Sequence, residues 1–155
     1  MNRTNLVVVG ALVVGLGGLL FFTGSMRSSG TLAMVPGTNV ACLPNGHQAL
    51  AIHIHPRLQI TVDGVPEVVP ANIGVSGTCM AELHTHDASG SIHVETATRE
   101  RFAALTFADF FDVWGVPVER EGYSLTVSVN GEEVSSINDV TLEDGAVVEL
   151  AYTTL

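Results

Sequence analysis

The stretch LAIHIHPRLQITV, residues 50–62, decides the fold. Leu50, Ile52, Ile54, Leu58, Ile60 and Val62 share one phase of a two-residue period, and His53, His55, Arg57, Gln59 and Thr61 share the other. Successive side chains of a strand point to opposite faces, so this alternation predicts a strand with one buried face. Pro56 has no N–H to give to a ladder, which places it at an edge or a bulge. Asp63-Gly64 then supplies a tight hairpin turn, and Val65 to Val69 runs back.

The same signals recur further along. Ile92 and Val94 alternate with His93 and Glu95 in a short strand. Leu125, Val127 and Val129 alternate with Ser124, Thr126 and Ser128, and Asn130-Gly131 closes that run with a second hairpin turn. A last strand, Val147 to Thr153, follows the turn at Asp144-Gly145. One helix is expected from Thr106 to Trp114, with Thr106 as its cap and Asp109 three residues on. Phe107, Phe110, Phe111 and Trp114 fall on one side of it and are read as core. Strands, one helix, then further strands predict an α+β domain with a small mixed or antiparallel sheet and one packed helix. The C-terminal half, a helix followed by VSVNGEEV and LEDGAVVELAY, resembles a β-grasp. That resemblance bears on fold and not on function.

Ahead of this domain, Leu6 to Phe22 is apolar and uncharged. It lies at the short end of the roughly 17–25 residues that span a bilayer and beyond the usual apolar core of a signal peptide. Residues 1–26 are therefore expected to be a membrane anchor, with a cleaved signal as the alternative. Residues 27–39 read as a tether and 40–155 as an extracytoplasmic domain. All sixteen Asp and Glu residues lie within 40–155, against only four Arg (57, 99, 101 and 120) and no Lys, so that domain carries a net charge of −12. Nucleic acid is excluded as a partner, because its phosphates need basic patches. Cations suit such a surface. Cys42 and Cys79, the only two cysteines, read as a disulfide in an exported domain.

All six histidines lie between His47 and His93. His53 and His55, two apart on a strand, project from the face opposite the Ile/Leu stripe. Glu82, His84 and His86 share a face if that segment is extended, and His93 and Glu95 take the polar phase of their own strand. His53, His55, His84, His86 and His93 are thus the candidate metal ligands. Asp87 and Glu95 are candidate ligands or partners that orient imidazoles. His47 falls outside the strand patterns and is read as a loop residue. Imidazole with carboxylate support suits copper(II), and next zinc, better than thiolate-loving copper(I). Clustered imidazoles also repel when protonated, so a pH response could accompany metal binding.

The segment ELHTHDASG, residues 82–90, looks like the first metal motif of the polymerase-and-histidinol-phosphatase family. That family is a barrel with later His clusters, whereas no His follows His93 here. The cupin and copper–zinc dismutase patterns lack their further required residues. A longer run, HIHPRLQITVDGVPEVVPANIG, then LHTHDASGSIHVE, then FADFFDVWG, resembles an exported or membrane-anchored bacterial and archaeal family, matching from about residue 51 to residue 115. The resemblance implies an extracytoplasmic location and assigns no activity. The expectation is a membrane-tethered copper- or zinc-binding carrier, sensor or buffer, with another exported metalloprotein as a candidate partner. The alternatives are a metal-dependent enzyme using the same histidines and an interaction module whose histidines are structural.

Overall fold

The structure is a computed structural model that describes residues 32–155. The apolar segment at 6–22, read above as a membrane anchor, lies outside the described residues, as does the start of the tether. Among the described residues no helix is long and apolar enough to cross a membrane. Residues within 33–42 fold back on themselves: Cys42 N–H donates to Ala33 O, Val35 N–H to Val40 O, and Met34 bridges Ala41.

The strands follow in chain order as β1 (Pro44–His47), β2 (Ile52–Ile54), β3 (Arg57–Val62), β4 (Val65–Glu67), β5 (Val75–Ser76), β6 (Cys79–Met80), β7 (Leu83–His84) and β8 (His93–Thr96). Two short helices come next, α1 (Arg99–Ala103) and α2 (Asp109–Trp114). Then come β9 (Tyr123–Val129), β10 (Glu132–Val134), a 3₁₀ turn at Ile137–Asp139, and β11 (Val147–Thr154). The class is α+β. A five-stranded sheet runs β10-β9-β11-β3-β4, with β3 and β11 parallel at its centre and its other pairs antiparallel. A three-stranded antiparallel sheet runs β2-β8-β7, and β5 pairs with β6.

The long alternating stretch divides at Pro56. Its first part, β2, belongs to the three-stranded sheet, and its second, β3, to the five-stranded one. The register along one edge nevertheless continues through the break. His53 faces Glu95, Ile54 faces Val94, and Arg57 bridges Ser91. Ile92 N–H donates to Pro56 O at 2.9 Å, and Leu58 N–H donates to Gly90 O at 2.8 Å. The reciprocal bond from residue 56 to Ile92 is the one a proline cannot make. The segment thus passes from one sheet to the other where the ladder is weakest.

Both hairpin turns read from sequence are present, with left-handed backbone at Asp63-Gly64 and Asn130-Gly131. The aromatic stripe is core: Phe107, Phe110 and Phe111 are buried, together with Leu58, Ile60, Val148, Leu150 and Tyr152. The helices differ from expectation. α2 is shorter than Thr106–Trp114, although the expected cap contact forms, the Asp109 carboxylate accepting from both the N–H and the hydroxyl of Thr106. The carbonyls of residues 106, 107 and 108 accept in i→i+3 turns that lead into α2. The sequence reading also has one helix where there are two. Thr98 caps α1, its hydroxyl accepting from Arg101 N–H. Arg101 then reaches the buried Glu82 carboxylate with Nε and Nη2.

Gly90 has φ +79°, and a Cβ there would lie 2.2 Å from Leu58 O. Left-handed backbone and a blocked Cβ position together make glycine necessary. Gly90→Ala is expected to lower stability by about 1–3 kcal/mol, read as a lower melting temperature. An unchanged melting temperature would show that the turn relaxes freely.

Candidate metal centre

The register of the three-stranded sheet builds the site directly. His53 stands opposite Glu95 across β2 and β8, and His84 stands opposite His93 across β7 and β8. His93 and Glu95 are two apart on β8, so these four side chains occupy one face. His55 follows His53 by two residues and His86 follows His84 by two, which extends the row at both ends. On the opposite face Leu83, Val94 and Ile92 are buried in the core. The expected division into an apolar and a histidine-bearing face is what the structure shows.

That face is not an open polar surface. Glu95 and His84 are both fully buried, and together they form its floor. Above them lie His47, His53 and His55, each between 41% and 46% exposed at the side chain. His93 is half-buried and His86 exposed. The His93 ring lies within 6.3 Å, centroid to centroid, of each of the other five imidazoles.

His47, set aside from sequence as a loop residue, belongs to this cluster. It ends β1, and its Nδ1 donates to both oxygens of Glu95 at 2.8 Å. Its ring also lies 5.2 Å from that of His86 and 5.7 Å from that of His84. Cys42 and Cys79 are bonded, as expected from sequence. This bond, with Leu43 N–H donating to Met80 O and Glu82 N–H to Ala41 O, fastens the start of the β1 segment beside β6 and β7.

The carboxylates separate by role. Glu95 is the hub: besides His47 it bonds His93 Nδ1 at 3.4 Å and lies 3.0 Å from His53 Nε2. Burial alone would raise its pKa, but the His47 hydrogen bond and the nearby imidazoles hold it below the ordinary glutamate value. Asp87 instead closes its own turn by accepting from Ser89 N–H at 2.9 Å. Glu82, placed by pattern on the histidine face, turns to Arg101 and Ala41 N–H. Asp144 accepts from His55 N–H at 2.8 Å and steadies that end of β2.

Several imidazoles are held ready to ligate. His84 Nδ1 donates to Ala81 O at 2.8 Å, which leaves Nε2 as the unprotonated nitrogen facing the cluster. Burial drives the His84 pKa down to about 4, so the ring is neutral. His93 is also lowered, by burial first. His84 Nε2 and His86 Nε2 stand 3.2 Å apart. Two imidazoles on one tetrahedral zinc, at about 2.0–2.1 Å each, would have nitrogens about 3.3–3.4 Å apart. Three compact sets of ligand atoms result, each with all members within 4.8 Å of one another: His47, His84 and His86; His53, His55 and His93; and His84, His93 and Glu95. All five histidines named from sequence are therefore brought together, and His47 joins them.

Burial of His84 also sets a pH response in the chain without metal. Its pKa falls from 6.5 in the unfolded chain to about 4 on folding, so the unfolded chain takes up this proton first. The stabilisation is whole above about pH 6.5 and is lost as pH falls toward 4; the lowered Glu95 acts in the same direction at the acid end. Thermal melts of the chelator-treated protein should drop by roughly 2 kcal/mol of stability across this window. A flat profile between pH 6.5 and 4.5 would contradict the assignment of a buried neutral His84.

Comparison of the chain with protein-family models, with curated proteins and with solved structures finds no match.

Proposed function

We propose that this face binds a borderline divalent ion, copper(II) first and zinc second, in a carrier, sensor or buffer held on the outer side of a membrane through residues 6–22. The carrying observation is the convergence of imidazoles from β1, β2, β7, β8 and the β7–β8 turn above one buried carboxylate. Metal-ligating imidazoles almost always have their second nitrogen held by an acceptor, and His47 and His84 are so held. The described residues contain no free cysteine, so thiolate, the donor preferred by copper(I), is missing from the set. The exposed rim favours exchange of the ion with an exported metalloprotein. The strand order supports a β-grasp-like reading of the five-stranded part, with a hairpin, a helix, a second hairpin and a final central strand parallel to the first.

The chain, purified without a histidine tag and stripped with chelator, should bind copper(II) or zinc saturably by calorimetry. His53→Ala/His84→Ala should abolish or sharply weaken that binding. No binding by the native chain, or binding unchanged in the double variant, would sink the proposal.

A metal-dependent enzyme is the second reading, because three protein ligands leave a position open for water or substrate. Turnover of a hydrolysable or oxidisable substrate only in the loaded chain would favour it. A purely structural role for the histidines draws on the Glu95 contacts alone, and it predicts an intact fold that takes up no ion.

A further inference from the structure

We propose that the cluster is a two-ion site: one divalent ion held by His47, His84 and His86, and a second by His53, His55 and His93, with Glu95 as the anion shared between them. The inference rests on the metal-binding reading above and adds its stoichiometry and internal division.

Six imidazoles exceed what one tetrahedral ion takes, and at about 2.0–2.1 Å per bond its ligand atoms must all crowd one point. Here they divide instead. The two all-histidine sets share no member, and each is compact by itself. They also come from different elements. The first draws on β1, β7 and the turn after β7, and the second on β2, β8 and the residue after β2. Within the first set, the Nδ1 atoms of His47 and His84 are committed to Glu95 and to Ala81 O, which leaves each ring its Nε2, and that of His84 stands 3.2 Å from the Nε2 of His86.

Two neighbouring dications repel, and a buried negative charge between them offsets that repulsion. Glu95 is so placed. It accepts from His47 of one set, from His93 of the other, and lies 3.0 Å from His53. The competing arrangement is a single ion on His84, His93 and Glu95, which takes one histidine from each set and the carboxylate itself.

The two arrangements predict different counts. The tag-free, full-length chain in detergent is titrated with copper(II) and weighed by native mass spectrometry, with electron paramagnetic resonance on the same samples. Two ions per chain are expected, with spin coupling between them. His55 and His86 make no hydrogen bond to Glu95, so His55→Gln and His86→Gln spare that carboxylate, and circular dichroism checks their fold. Each is expected to weaken one ion by about 100-fold or more, leaving one ion per chain with an uncoupled signal. His55→Gln/His86→Gln should weaken both. One ion in the native chain, kept in both single variants, would overturn the division while leaving metal binding intact. No ion at all would overturn the functional reading as well.

Discussion

Glu95→Gln is expected to weaken metal binding by about 10–100-fold and to lower the stability of the metal-free chain by about 3 kcal/mol. Glu95 is fully buried yet carries its charge, because His47 donates to both oxygens and His93 and His53 stand beside it. Glutamine keeps the shape but puts an NH2 where an oxygen accepts. One acceptor oxygen remains, so the glutamine cannot hold His47, His93 and His53 together, and the buried negative charge between them is lost. Calorimetric titration and thermal melting measure the two effects. The control is Glu82→Gln, which alters an equally buried carboxylate whose partners are Arg101 and Ala41 N–H; it should destabilise the fold and leave affinity nearly unchanged. Equal affinity in native and Glu95→Gln chains would show that the imidazoles need no orienting anion.

Removing the disulfide is the second large effect. Cys42 and Cys79 are 37 residues apart, and on the chain-entropy model the cross-link contributes about 3–4 kcal/mol. The Cys42→Ser/Cys79→Ser chain should melt correspondingly lower, as should the reduced native chain. Position makes the bond matter to the site as well. Cys42 precedes His47 by five residues and Cys79 precedes His84 by five, so the cross-link fixes the segment that brings His47 over the floor. Metal affinity should fall with the disulfide, and more for the ion that uses His47. Melting temperature and affinity both unchanged on reduction would contradict this.

What was legible in the sequence follows from periodicity and turn chemistry. The two-residue alternation in residues 50–62 and 92–95 put His53, His55, His93 and Glu95 on one face, because a strand allows no other choice. Asp63-Gly64 and Asn130-Gly131 gave their hairpins because left-handed turns demand such residues. The failures lie where long-range contacts decide. Pro56 marked a weak point in the ladder, but not that the chain changes sheets there. Glu82 shares the phase of His84, yet Arg101, nineteen residues on, draws it away. Asp87 has the acceptor a histidine partner needs, but Ser89 N–H is closer to hand. His47 lies in PNGH, which has no period to place it. Its only signal was the matching five-residue offset from each cysteine, and that signal needs the disulfide to be read first. The role of Glu95 was the subtlest. Its phase was plain, but its burial depends on β1 covering it.

The most direct test is anomalous diffraction at the copper or zinc edge from crystals of the loaded chain. The account predicts metal peaks about 2.0–2.1 Å from imidazole nitrogens of His47, His84 and His86, and of His53, His55 and His93, with Glu95 beneath them. Metal found only on the acidic exterior, away from every histidine, would contradict it.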